Sequence, residues 1–344
     1  MKQLNANIRT QSNMRRSLER HFTFLFKYLT LTKFFNLLLA LIEFIFRFSK
    51  CKSFPVYLRF EVSSVCNLKC QGCSIGGVKN NSLSQKKNAF ISYVKFVQSI
   101  NDFIPYLLKV NLYDEGEPFL NKDIYKIISY LHNNKVCTCI SSNFSLNFSD
   151  EDFVNLIESN LDHLVIALDG FDQESYARYR IGGKFDLVVN NIQRLNYFIK
   201  KYNSPLRIET QYLEFSDSNP NARLKVTELA ASLEVWRHSI IENGSRYGWE
   251  GYYFKGSQKE RQKLGCYYIW FSGSILTTGK YYCCDFGEDT GMYAIGNAEY
   301  FKSKNLHNNQ QTIVLRKSFK NGQLNEICRK CPQTVKQSLH NATL

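Results

Sequence analysis

Cys66-Asn-Leu-Lys-Cys70-Gln-Gly-Cys73 is the stretch on which the reading of this 344-residue chain turns. It follows an apolar, β-branched segment over residues 56–62 that reads as a strand, so three thiols converge in one loop at a strand's C-terminal end. In barrel-like α/β folds that end carries the chemistry. Three thiolates can ligate three irons of a cubane, and this spacing differs from the four-cysteine ferredoxin run, which leaves one iron open to substrate or cofactor. Structural zinc would call for four ligands.

Outward from this loop, strand-like segments over 56–62, 107–113, 136–142, 164–169 and 206–213 alternate with helix-like segments over 88–102, 124–133, 150–159, 186–201 and 224–233. Such alternation implies parallel βα units, and five or six of them make an open sheet or a partial barrel. Residues 244–265 read as a polar connector rich in Gly and Tyr. A hairpin of 267–276 with 281–284 follows, around Thr278-Gly279. Before the first strand, residues 21–48 are apolar but punctuated by Lys27, Lys33, Glu43 and Arg47, and the charge-free run 34–42 is too short to span a bilayer. This leader either packs on its own protein or lies on a membrane surface, and packing is the usual fate of an apolar helix face.

Formal charge is +14, yet Lys is spread along the chain and no nucleic-acid motif with its aromatic platforms is present, so nucleic acid is not the expected partner. Eleven cysteines without a secretory signal read as metal or redox chemistry in a reducing compartment. The expected location is cytoplasmic, at most membrane-associated at the cytoplasmic face.

The C-x3-C-x2-C loop after a strand resembles the radical S-adenosylmethionine superfamily, with coverage from about Pro55 to the end. The resemblance implies an α/β fold, a partial (β/α)6 TIM-like barrel with an N-terminal helical leader and a small C-terminal cluster-binding domain. The corresponding divisions are 1–52, 53–245 and 246–344. It further implies a catalytic [4Fe-4S] cluster on Cys66, Cys70 and Cys73, with S-adenosylmethionine on the open iron. Reductive cleavage then yields a 5′-deoxyadenosyl radical, the electron coming from a donor such as flavodoxin or ferredoxin.

Three further phrases fit the family pattern. Glu115-Gly116-Glu117-Pro118 resembles its Gly-Glu-Pro turn, where Gly116, Glu117 and Pro118 would receive the methionyl amino group. Ser142-Asn143 resembles its Ser/Thr-Asn-Gly, with Asn143 at the cofactor and Phe144 in place of the Gly. Leu164-Val-Ile-Ala-Leu-Asp169-Gly170, running on to Tyr179-Arg180-Ile-Gly-Gly183, resembles its S-x-D-G…R-x-G-G segment, which places Asp169 and Arg180 at the cofactor and Ala167 where Ser is usual.

Towards the C-terminus, Gly279-Lys-Tyr-Tyr-Cys283-Cys284-Asp285-Phe286 and Ile295-Gly296-Asn297 resemble the family's SPASM/twitch extension. Cys266, Cys284, Cys328 and Cys331 would hold a second, auxiliary [4Fe-4S] cluster, with Cys283 a rival for Cys284 and four-cysteine zinc the alternative occupant. Asp285 is the candidate catalytic base beside it. The activity implied is oxidation of a small hydroxylated substrate such as a sugar or cyclitol. The alternatives are a maturase of a ribosomally made peptide and a non-enzymatic Fe–S or zinc regulator.

Overall fold

The computed structural model describes residues 27–73, 75, 89–215, 217–243, 266–284, 294–300, 302–326 and 328. In chain order its elements begin with helix α1 (Leu31–Ile45), strand β1 (Tyr57–Phe60), α2 (Tyr93–Ile100), β2 (Lys109–Asn111), α3 (Ile124–Asn133), β3 (Cys137–Ser142), α4 (Asp150–Glu158) and β4 (His163–Ala167). They continue with α5 (Gln173–Ala177), α6 (Phe185–Lys201), β5 (Arg207–Phe215), α7 (Ala222–Ser232) and β6 (Arg237–Asn243). The last are α8 (Tyr268–Phe271), β7 (Ser272–Ile275), β8 (Lys280–Tyr282), β9 (Gly296–Asn297), α9 (Ser303–His307) and α10 (Gln310–Lys320). This is the expected α/β class, strands and helices in alternation.

One compact unit comprises Met1–Tyr28, Val65–Gln85 and Glu117–Gly248. Its strands β3, β4, β5 and β6 pair in that order, all parallel, with Cys139 opposite His163, His163 opposite Arg207 and Glu209 opposite Arg237. β4 is buried along its whole length, as a parallel strand covered on both faces must be. The helices bring one apolar stripe each: Ile127, Ile128 and Leu131 from α3, Phe153, Leu156 and Ile157 from α4, Val188, Ile192 and Leu195 from α6. Ser149 and Asp152 form a capping box that starts α4, and three carboxylates in its first turn face the helix dipole favourably.

The second unit comprises Leu29–Ser64, Lys86–Gly116 and Trp249–Leu344. Here β1 lies between β2 and β7, parallel to both, while β7–β8 and β8–β9 are antiparallel. In its core Phe60 packs at a tilt on Phe96 (ring centroids 4.6 Å) and Phe103 stacks on Tyr281 (5.8 Å). In neither unit does the sheet close on itself.

Three local expectations are corrected. The hairpin's first arm was expected over 267–276, but Tyr268–Phe271 winds into one helical turn and the strand is Ser272–Ile275. Tertiary bonds override the β propensity there: the Trp270 indole donates to Phe48 O (2.9 Å), and Ile269 O accepts from Arg316 Nε (3.0 Å). The helix expected over 88–102 is Tyr93–Ile100, opened by Ser92, whose hydroxyl accepts from Lys95 N. β6 is a strand that the sequence reading did not assign. The connector 244–265 lies outside the described residues, and no described helix is long and apolar enough to cross a membrane.

Candidate active site

The cysteine loop is shaped by its own glycine before anything binds it. Cys73 N donates to Cys70 O (3.3 Å), and Gly72 between them has φ +72°, the third-position geometry of a type II turn, which a side chain would oppose. The loop is then backed by the segment after β4: Lys69 N donates to Ile181 O (2.9 Å) and Gln71 N to Tyr179 O (3.4 Å). The R-x-G-G phrase thus acts first as a brace for the thiols.

Two side chains aim donors at sulfur. Asn143 Nδ2 donates to Cys66 Sγ (3.6 Å) and to Asn67 Oδ1 (2.9 Å), while Arg180 Nη1 donates to Cys70 Sγ (3.5 Å). Burial pushes the Cys66 thiol up to about 12, with Leu68 N opposing and the charges of Glu117, Cys70 and Cys73 adding. Burial likewise raises Cys70, against the Arg180 guanidinium. Cys73 stands close enough to add to the rise at both Cys66 and Cys70, and thiol protons must leave when metal arrives.

Glu117 is the N-cap of a 3₁₀ turn, Pro118–Leu120, with Pro118 at the first position, where its missing N–H costs nothing. Its carboxylate accepts from Ser142 Oγ (2.8 Å), Asn143 N (2.8 Å) and Phe119 N (3.2 Å), and its own N–H donates to Val65 O (2.8 Å). Burial nonetheless lifts its pKa to about 7, these hydrogen bonds opposing. A carboxylate offers about four lone-pair sites and these three donors leave one for an incoming ammonium. Gly116, ahead of it, is half-buried.

Phe144, where glycine was expected, takes the glycine conformation itself, at φ +54°. Its N–H donates to Ser142 Oγ (2.9 Å), and its fully buried ring packs on Phe148 (4.8 Å) and Phe119 (6.1 Å). The left-handed backbone costs about 1–2 kcal/mol, whereas losing a buried Phe costs about 3–5 kcal/mol. Phe144→Gly should therefore destabilise the protein by about 1–4 kcal/mol and Phe144→Ala by more, since alanine loses the ring and keeps the strain. Denaturant melts giving the opposite order would show that the turn is unstrained.

Asp169 Oδ1 accepts from Leu213 N (2.7 Å) and Oδ2 from Arg180 Nε (2.5 Å), so one carboxylate ties the ends of β4 and β5 to the guanidinium that reaches Cys70. Gly170 follows because no side chain fits: a Cβ there would stand 2.4 Å from Tyr176 N. Tyr176, which the sequence reading missed, is fully buried and sends its hydroxyl to Asn143 O (3.4 Å). Asn67 was also missed, although it lies inside the cysteine run. Neither residue type has a local signal for such a role.

Four consecutive strands also share a buried polar belt that was not anticipated. Cys139 Sγ meets His163 Nδ1 (3.5 Å), His163 Nε2 meets Glu209 Oε2 (3.0 Å), and Ser239 Oγ donates to Glu209. Burial alone would lower the His163 pKa, but Cys139 and Glu209 raise it.

Among the C-terminal cysteines, Cys266, Cys283, Cys284 and Cys328 are buried in the second unit, while Cys331 and Asp285 lie outside the described residues. Asn297 Nδ2 donates to Thr278 O (3.0 Å) and Ala298 N to Gly279 O (2.8 Å), which brings the Ile-Gly-Asn phrase against the hairpin turn. Cys51, Cys137 and Cys139 are buried as well; the Cys51 thiol donates to Phe48 O (3.7 Å) and Cys139 belongs to the polar belt with His163.

Residues 60–206 match the model of the Radical SAM superfamily. A probable GTP 3',8-cyclase of Methanococcus maripaludis is 28% identical over 136 residues, 40% of this chain and 44% of that protein. The GTP 3',8-cyclase of Lactiplantibacillus plantarum is 24% identical over 196 residues, 54% of this chain and 58% of that protein. The chain thus spans about half the length of these curated relatives. Among solved structures, Streptococcus suis SuiB bound to S-adenosylmethionine shares the fold at a TM-score of 0.60 and 14% identity, over 86% of this chain and 72% of that one. SuiB bound to its precursor peptide SuiA gives 0.59 at 14% identity, over 82% and 70%.

That superfamily works with a [4Fe-4S] cluster and S-adenosylmethionine, and the donor set here fits them. The three thiols stand in one braced loop, with Asn143 and Arg180 donating to sulfur. Among the described residues no three His, Cys, Asp or Glu side chains are drawn together around a single metal ion. A cubane takes its thiolates on separate irons, so they need not converge on one point. Loop, brace and family match agree in pointing one way: residues 60–206 are similar to the Radical SAM superfamily.

Proposed function

We propose that this chain reductively cleaves S-adenosylmethionine and uses the radical so formed to begin a two-electron oxidation of a small hydroxylated substrate such as a sugar or cyclitol. The observation that carries the first half is the Cys66–Cys70–Cys73 loop with donors from Asn143 and Arg180 on its sulfurs. A cluster held there would keep one iron open for S-adenosylmethionine and supply the electron that releases a 5′-deoxyadenosyl radical. The chain's own residues have separate tasks. Glu117, with one acceptor site left, receives an ammonium; Arg180 and Asn143 temper the negative charge on the thiolates; Asp169 holds Arg180 in place.

The oxidative half rests on the second cysteine set: Cys266, Cys284, Cys328 and Cys331 would hold an auxiliary cluster, which would supply an acceptor for the second electron. Asp285 then takes the proton. A second reading, a maturase of a ribosomally made peptide, draws on the extent of the fold shared with SuiB, an analogy of fold alone.

The test uses anaerobically reconstituted, chemically reduced protein given either a small-molecule extract or a peptide pool, with 5′-deoxyadenosine and oxidised product quantified. Cys328→Ala with Cys331→Ala should keep 5′-deoxyadenosine formation and lose the product. Asp285→Asn should slow product formation about a hundredfold, the scale of one general base. Product made at the parental rate by the double variant, confirmed to lack its second cluster, would end the oxidative reading. Stimulation by peptides alone would transfer the assignment to a maturase.

A further inference from the structure

Helix α1 is built inside out. Its buried residues are Lys33, Asn36, Ala40 and Glu43, spaced three, four and three apart along one stripe. The opposite stripe carries Leu31 (77% exposed), Phe34, Phe35 (62%), Leu38, Leu41, Ile42 and Ile45 (67%), followed by exposed Phe46 and Phe48. A helix that packs on its own protein turns its apolar face inward, so this orientation reverses the usual arrangement.

The reversed orientation is held by specific bonds within the second unit. Asn36 brackets Phe54, accepting from its N–H (2.9 Å) and donating to its carbonyl (3.1 Å). Glu43 accepts from Lys52 N (2.5 Å), Ser53 N (3.2 Å) and Ser53 Oγ (2.5 Å). On the flank, Phe44 packs edge-on against Trp270 (5.5 Å). Rotating the helix to bury its leucines would break all of these at once.

The charges say what the outward face suits. Between Glu19 and Glu61 the chain has one acidic residue, Glu43, against seven basic ones, Arg20, Lys27, Lys33, Arg47, Lys50, Lys52 and Arg59, of which Lys33 is buried and Lys27 and Arg59 pair with Asp162 and Asp114. That single carboxylate is 1% exposed, whereas Lys50 and Lys52 just past the helix are exposed. An apolar, uncharged face with the exposed Lys50 and Lys52 just past its C-terminal end is complementary to acyl chains beneath anionic headgroups. Fifteen residues make a helix of about 22 Å, short of a hydrocarbon core of about 30 Å, so it lies along the surface.

We infer that the exposed face of α1 docks this protein on an anionic lipid bilayer, with Phe34, Phe35, Leu38, Ile42 and Ile45 entering the headgroup–acyl boundary. The docking is independent of the reaction proposed above.

The experiment is co-sedimentation of the full chain with vesicles of phosphatidylcholine containing about 30% phosphatidylglycerol, and with pure phosphatidylcholine. Binding should favour the anionic vesicles and weaken at high salt, as screening of basic residues requires. Phe35→Gln with Leu38→Gln and Ile45→Gln should reduce the bound fraction at least about tenfold while circular dichroism and melting stay parental, because all three side chains are exposed and Gln suits a helix. Failure of the parent to bind anionic vesicles, or equal binding by the triple variant, would overturn the inference. So would a lipid-free dimer that the triple variant abolishes, since the occupant would then be a second copy.

Discussion

Replacing Cys66, Cys70 and Cys73 together with alanine is expected to reduce 5′-deoxyadenosine formation about ten-thousandfold or more, because a cubane deprived of every protein ligand in its loop is not retained. The remaining side chains of the site cannot substitute: Asn143 and Arg180 present N–H donors to the sulfurs, and neither ligates iron through a proton. Iron content should fall by about four per chain, one cubane, with any second cluster unaffected. Cys51→Ala and Cys137→Ala are the controls, since both thiols are buried away from the loop's hydrogen bonds. The measurement is iron per chain with 5′-deoxyadenosine by mass spectrometry, after circular dichroism confirms folding. Parental iron and cleavage in the triple variant would remove the catalytic cluster from this loop.

The largest effect on stability is expected from Arg180→Ala. The Asp169 side chain is fully buried and the Arg180 side chain 17% exposed, so removing the cation strands a carboxylate that, among the described residues, retains the Leu213 N–H. Breaking a buried pair in this way costs about 3–5 kcal/mol. Arg180 is also held strongly charged: burial would lower its pKa, and Asp169 with Cys70 reverses that. Lysine at 180 keeps the charge but lacks the fork that serves Asp169 Oδ2 and Cys70 Sγ together, so Arg180→Lys should recover only part of the loss. Thermal melts should show a drop of about 5 °C or more for Arg180→Ala. Changing the partner as well, Arg180→Met with Asp169→Asn, should restore some of it, because no stranded charge remains. An Arg180→Ala protein that melts with the parent would mean that the pair behaves like a surface ion pair.

Features missed in the sequence share a cause. β6, Arg237-His-Ser-Ile-Ile-Glu-Asn, is too polar to read as a strand in isolation. Two of its polar side chains find partners sideways, Ser239 on Glu209 and His238 Nδ1 on Thr210 Oγ1 (2.9 Å), across strands some thirty residues apart. The arm over 267–271 fails for the mirror reason, being apolar enough for a strand while Trp270 and Ile269 find partners at Phe48 and Arg316 that favour a helical turn. Propensity loses to a tertiary bond in both places.

What the sequence by itself determined was the part encoded at short range: three thiols in one loop after a strand, and the alternation of strand and helix periods that makes a parallel α/β fold. Spacing and periodicity are local, so they can be read without knowing what lies alongside. The tertiary structure alone decided how the other residues serve that loop. It set Glu117 under the N–H of Asn143, drew Arg180 between Asp169 and Cys70, let Phe144 take a glycine's backbone in exchange for a buried ring, and turned the leucines of α1 outward. The site contacts join residues from eleven to more than a hundred positions apart, and the facing of α1 is fixed by bonds to residues 52–54 beyond its own turns. Such partners are selected by packing and register, which no local pattern records.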